Sequence, residues 1–425
     1  MKRQNTLIPL LNLFLVLLVS NTCLAEEVPS LASYLEQALT GNDSLQSARA
    51  EFRAGTERVR QVGVLPDPKL SVQYYLEPVE TRTGPQEGAI SISQTVPWFN
   101  KLSLSRKMMD TEATIVGAKL AATELDVARQ VKEAYIEYGF LGRSLQTVSD
   151  NLELLRYLEG VARSRYAGSK TTYFDVLKIQ IELAKTEEKS KSLADQAGPL
   201  RVHINSLLGS ESERARAIPA SLPLVELKRG EDEIITLALE GSPLLHQAQQ
   251  RIAKARTGRK LAEQDFYPDF TFSLKTIFTG SAEFGNPPDS GQDPIIAGVK
   301  FNLPIFRDRR NGKIAEKEAI IAAAQSFQHL QELTLAAKIE RSLYRYREAQ
   351  RKISLYREDL LPKVKQQLEV AINGFQSGQS SILELIDAEK SLLTFQLAKS
   401  RAMADQAVAI ARLEARAGVT LADWE

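Results

Sequence analysis

At 425 residues, 43% apolar and 25% charged, the chain can bury sizeable cores and is too apolar to be a largely unfolded polymer. The 54 basic and 53 acidic residues leave a formal charge of +1, which excludes a bulk electrostatic drive toward nucleic acid. Cys23 is the single cysteine, so neither a disulfide framework nor a thiolate metal centre is available.

In chain order, Met1-Lys2-Arg3 leads into an apolar run from Leu7 to Val19 and then Thr22-Cys23-Leu24-Ala25, which reads as a signal peptide over residues 1–25. With Lys2 and Arg3 removed, acids outnumber bases by one. Lipidation at Cys23 is the rival reading, which Ser20-Asn21-Thr22 just upstream fits poorly. No later run reaches the roughly 18 apolar residues of a spanning helix.

Beyond Ala25 the chain repeats itself. Leu39-Thr40-Gly41-Asn42-Asp43-Ser44-Leu45 is echoed by Leu239-Glu240-Gly241-Ser242-Pro243-Leu244-Leu245, Leu65-Pro66-Asp67 by Tyr267-Pro268-Asp269, and Val96-Pro97-Trp98-Phe99 by Leu303-Pro304-Ile305-Phe306. Tyr166-Ala167-Gly168 with Asp175-Val176-Leu177 is echoed by Phe375-Gln376-Ser377-Gly378 with Glu384-Leu385-Ile386, and the offset drifts only from 200 to 209. The expected units are 26–210 and 232–425, joined by a polar linker over 211–231.

Each unit begins helical, over 31–62 in the first, and is closed by a proline. Period-two alternation follows, predicting a β-hairpin over 69–95 and another over 269–303. Leu70, Val72, Ile90, Ile92, Phe270, Phe272, Val299 and Phe301 then share one side of their strands and should face lipid, with polar neighbours toward a lumen. Next come helical patterns from about Leu102 to Tyr166 and from about Ile314 to Phe375. Such lengths demand neighbouring helices, and Val131, Ala134, Tyr138, Leu141, Leu145, Val148, Leu152 and Leu155 trace a coiled-coil seam. Pro362 should kink the second long helix. Gly168 and Gly378 break the helices, and return helices run from about Tyr173 and about Ile382.

No catalytic or cofactor motif stands out. His203, His246 and His329 are isolated, and no nucleophile elbow or phosphate-cradling glycine loop is present, so neither an enzyme nor a metal or cofactor site is expected. The proline-following Asp67 and Asp269 read as strand-entry turns. Four strands cannot close a membrane sheet, whereas three chains would supply a twelve-strand barrel.

The doubled order of helix, hairpin, long helix, glycine break and return helix, with the quoted tip motifs, resembles the TolC-like outer-membrane efflux factors over nearly the whole mature chain. Pro66-Asp67-Pro68-Lys69-Leu70 and the stretch from Gln94 to Leu102 are most similar to the heavy-metal-efflux branch, which often has glycine where Asn100 stands. The resemblance implies a mainly α fold with a small β part: a homotrimer with a shared barrel in outer-membrane lipid and a periplasmic α-barrel. It further implies a periplasmic adaptor (membrane fusion) protein and an inner-membrane pump as partners, with docking at the tip residues Tyr166, Gly168, Ser169, Phe375, Gly378 and Gln379. A periplasmic gate is expected at Glu384 and Asp387, which share a helix face, and at Asp175. Phe375 stands where some members have a tyrosine bonded to an acid matching Asp175, and that link cannot form here. The rival function is a soluble periplasmic coiled-coil scaffold or adaptor, and the exported substrate stays open.

Overall fold

The computed structural model describes residues 30–219, 222, 225–285 and 287–424, so the expected signal peptide lies outside the described residues. The first half runs α1 (Leu31–Gly41), α2 (Asp43–Gln61), β1 (Lys69–Val79), β2 (Gln86–Val96), α3 (Lys101–Ala167), α4 (Tyr173–Asp195) and α5 (Ala197–Leu207). The second half follows the same order through α6 (Glu231–Gly241), α7 (Pro243–Glu263), β3 (Phe270–Thr279), β4 (Ile295–Phe301), α8 (Arg307–Ser354), α9 (Leu361–Ser377) and α10 (Ile382–Ala417). No helix among the described residues is long and apolar enough to cross a membrane.

Local chemistry explains where the structure departs from the periodicity. The helix expected over 31–62 is two helices, because Asn42 turns extended and caps α2, accepting from the Leu45 amide at 3.1 Å and donating to the Leu207 carbonyl at 2.8 Å. In the second half Ser242 makes the same break, and Pro243 takes a first-turn position where its missing N–H costs nothing. Ahead of Pro362 the chain widens into a π-helical turn, Leu355–Leu360, which accommodates a residue that cannot donate. By contrast α3 is continuous for 67 residues, about 100 Å at helical rise.

The four strands form one antiparallel sheet in the order β1-β2-β3-β4, with β2 and β3 joining the two halves. Below it the helices lie side by side. Near the sheet α2 packs on α3, α3 on α7 and α7 on α8, while farther away α4 packs on α3, α3 on α10 and α10 on α9. The predicted seam on α3 is buried along its length except at Leu145, which is half-buried. Charge also ties α3 to α10. Arg401 forks onto both Glu137 oxygens at 2.8 Å, and Arg412 reaches Glu133 at 2.8 Å. Burial pushes the Glu133 carboxyl up, but Arg412 and Arg129 outweigh it and hold it below the ordinary carboxylate range.

Candidate functional site

Two regions carry the residues singled out from the sequence, and they lie at opposite ends of the long helices. At the sheet, register decides which side chains share a face. Leu70 pairs with Ile92 and Val72 with Ile90, Ile92 with Leu274, Phe270 with Phe301, and Phe272 with Val299. All eight residues expected on the apolar side therefore stand on one face, seven of them exposed and Phe270 half-buried. The opposite face carries Ser71, Gln73, Ser91, Ser93, Thr95, Thr271, Ser273 and Lys275, with Thr95 and Thr271 hydroxyls 3.0 Å apart. This arrangement can meet a hydrocarbon on one side and water on the other.

Sheet and helices meet at a polar joint. Asp269 accepts from the Trp98 amide at 2.8 Å and from Lys101 at 2.9 Å, while its own amide donates to Asn302 at 2.6 Å. The acid after Pro268 thus fixes the exit from β2 to the entry into β3. Trp98 stacks on Tyr267 with ring centroids 5.0 Å apart.

At the tip, both turns close the same way. In the second, the Gly378 amide donates to Phe375 and the Gln379 amide to Gly374, with Gly378 left-handed at φ 84°. In the first, Ser169 donates to Tyr166 and Lys170 to Arg165, and Ser169, not Gly168, takes the left-handed position at φ 55°. Gly168 sits at φ −85°, a value open to any residue. The structural equivalent of Gly378 is therefore Ser169, one residue later than the glycine suggests.

Tyr166 is 48% exposed and Gly168, Ser169, Gly378 and Gln379 are exposed too, whereas Phe375 is only 3% exposed and packs with Leu158, Ala162 and Val176. Arg165 crosses from one turn to the other. It donates to the Gln376 carbonyl and, at 3.0 Å, to the Lys170 carbonyl, and lies 5.1 Å over the Phe375 ring. Nothing local marks the bridging role of this arginine in the sequence, because Gln376, its partner on the other turn, lies 211 residues away.

The predicted gate acids have local work. Asp175 accepts from the Thr172 amide at 3.0 Å, the Thr172 hydroxyl at 2.8 Å and the Thr171 hydroxyl at 2.5 Å, closing a capping box at the start of α4. Burial raises its carboxyl, but these donors outweigh it and the net shift is downward. Glu384 does the same for α10, accepting from the Ser381 amide at 3.0 Å. Asp387 is exposed and makes no hydrogen bond or ion pair with the described residues. Farther up α10, Glu389 is 1% exposed and neither carboxylate oxygen finds a hydrogen bond of normal geometry. Burial pushes its carboxyl up and Glu182 adds to this, while Asn151, Lys390 and Lys189 offset only part. This acid is legible in hindsight, since it falls on the seam of Ile382, Ile386 and Leu393.

Comparison with known proteins bears on both ends. Residues 234–419 match the model of the outer membrane efflux protein family. The cobalt-zinc-cadmium resistance protein CzcC of Cupriavidus metallidurans is 21% identical over 363 residues, spanning 85% of this chain and 84% of its own. Among solved structures, the outer membrane protein VceC of Vibrio cholerae superposes with TM-score 0.78 at 21% identity, covering 92% of this chain and 96% of its own. CusC does so with TM-score 0.76 at 16% identity, covering 99% of both chains.

Proposed function

We propose, from the match of residues 234–419 to the outer membrane efflux protein family, that the chain is the exit duct of a tripartite efflux system. Three copies share a twelve-strand outer-membrane barrel above a periplasmic helical tunnel, whose tip meets an adaptor (membrane fusion) protein linked to an inner-membrane pump. The two like-ordered halves are read as a duplication with 211–231 as the joint. The duct itself supplies neither catalysis nor energy.

One observation carries this reading: the protomer is a slab with uncovered edges at every level. In the sheet β1 and β4 have no outer partner among the described residues. At the tip, α4 is the outermost helix on one side and exposes Phe174, Leu177 and Ile181 at steps of three and four, while α9 on the other side exposes Val370. Leu330 and Leu333 stand exposed on α8, the edge nearer the sheet. Such rows are half of a helix seam, and open strand edges are not tolerated in hydrocarbon, so further copies must close both layers. A soluble scaffold is disfavoured, because no layer among the described residues covers the apolar sheet face.

The decisive experiment is mass determination in detergent followed by conductance in a planar bilayer. A trimer forming a water-filled pore is expected, and a detergent-free soluble monomer would refute the duct. For the gate, Glu384 and Asp387 are read as stacked acidic rings around the axis, with Asp175 serving chiefly as a cap. The variant Glu384→Gln/Asp387→Asn keeps the capping geometry but removes charge, so it should abolish block by divalent cations added from the tip side. Likeness to CzcC makes divalent metal ions the first cargo class to test.

A further inference from the structure

Between the sheet and the long helices lies an exposed apolar rim that neither the pore nor the tip uses. Phe99 is 77% exposed, Phe306 73%, Ile305 68% and Val64 60%, all within a few residues of a strand end. Isolated exposed hydrophobics are ordinary, but large side chains gathered at one level are not. The same level is cationic. The first turn of α8 carries Arg307, Arg309 and Arg310 against the single acid Asp308, at the helix end where the macrodipole favours negative charge. The macrodipole therefore does not account for their placement.

The cations divide into two groups. Arg310 donates to the Asp265 carbonyl at 2.6 Å and the Phe306 carbonyl at 2.8 Å, and Lys313 reaches the Asp265 carboxylate at 2.5 Å, so these two hold the joint together. Arg307 and Arg309 are exposed and make no ion pair or side-chain hydrogen bond with the described residues. The first half offers no such pair at the matching positions, where Asn100 stands for Arg307 and Leu102 for Arg309.

We propose that Arg307 and Arg309, beneath the apolar rim of Phe99, Ile305 and Phe306, bind the phosphate headgroups of anionic phospholipid in the membrane leaflet nearest the helices. The inference rests on the membrane reading of the sheet above. Charge complementarity selects the occupant: exposed apolar side chains just beyond the strand ends stand within a few residues of two guanidiniums unpaired among the described residues, at the level where acyl chains would give way to headgroups. Long arginine stems lie along apolar surface and deliver their charge to that boundary. A guanidinium also suits a phosphate, offering paired N–H donors to two oxygens.

The test uses the full mature chain reconstituted in phosphatidylethanolamine vesicles with and without phosphatidylglycerol, with spin-labelled lipids reporting the first shell. Two guanidiniums held at an anionic surface and partly screened by salt should give the wild type roughly a tenfold preference for phosphatidylglycerol. Arg307→Gln/Arg309→Gln should lose most of that preference while still inserting, and raised salt should erode it in the wild type alone. An unchanged preference in the double variant would overturn the proposal, as would disulfide crosslinking of Phe306→Cys between copies, which would make the rim a subunit contact. If the wild type fails to insert even in zwitterionic vesicles, the duct reading itself falls; insertion without lipid preference sinks only this inference.

Discussion

The sheet end and the tip end of this chain place their polar and apolar groups by different rules. In the sheet, a side chain's face follows from counting by two, and the register carries that count across all four strands without a slip among the residues that matter. At the tip, residues of the same chemical type do unlike things. Asp175 and Glu384 are absorbed by helix caps, Asp387 is left to solvent, and Glu389 is buried without adequate partners. The contrast shows that periodicity locates a surface, whereas the role of a single acid depends on which donors the next turn of backbone supplies.

The sharpest way to break the comparison is at the sheet. Phe272→Arg or Ile92→Arg should cost about 2 to 4 kcal/mol near a bilayer midplane, whereas Ser273→Arg or Ser91→Arg on the other face should cost far less. Reversible unfolding from vesicles measures both. Equal losses on the two faces would show that the sheet is not a one-sided membrane surface.

Next in size is Glu389. A carboxyl whose folded pKa lies above its unfolded value favours the folded state below the unfolded pKa, and that contribution fades as pH rises through the folded pKa. At neutral pH the buried charge therefore works against the fold, and Glu389→Gln should raise stability there by about 1 to 3 kcal/mol. Below the ordinary glutamate range the advantage should shrink toward zero. Denaturant titrations at acid and neutral pH decide this, and a variant weaker than wild type at neutral pH would mean that Glu389 has a partner in the assembled channel.

Much of the architecture was legible because its signals are local and repeated. The alternation of Leu70, Val72, Ile90 and Ile92, the seam from Val131 to Leu155, and the proline-closed segments each report on neighbours a few residues away. What escaped detection is long-range or fine-grained. Asn42 and Ser242 split helices that propensity alone would run together: Asn42 turns extended, caps the Leu45 amide and is tied to the distant Leu207 carbonyl, while Ser242 turns extended ahead of Pro243. Phe375 looked like a surface tip residue and is core, since a second turn folds over it and Arg165 covers its ring. Glu384 and Asp387 are singled out by their shared helix face and, with Asp175, by the family resemblance, but neither signal shows that Asp175 and Glu384 cap their own helices.

A smaller effect sharpens the division among those acids. Ser381→Ala removes the hydroxyl that accepts from the Glu384 amide at 3.3 Å and should cost about 1 kcal/mol, the usual worth of such a cap. Asp387→Ala has no partner to lose among the described residues and should change stability by less than about 0.5 kcal/mol, while still weakening divalent block. If Asp387→Ala proved the more damaging to stability, its carboxylate would have to be held by a neighbouring copy.

A last pair of variants tests the tip turns against each other. Both use one left-handed residue, Gly378 in one case and Ser169 in the other, and only the second carries a Cβ that crowds its own backbone there. Ser169→Gly relieves that crowding but gives the unfolded chain more freedom, so the two contributions oppose and the net gain should be about 0.5 kcal/mol. Gly378→Ala runs the other way on both local counts. It places a Cβ in the left-handed region and brings it to 3.3 Å from the Arg165 guanidinium, which would have to give way. Its cost should therefore be about 1 kcal/mol or somewhat more, despite the stiffer unfolded chain. Thermal unfolding of the two variants measures the pair together. A loss in Ser169→Gly would show that Ser169 is held by an interaction beyond its own turn, and the two tips would then differ by a contact in the assembled channel and not by backbone strain.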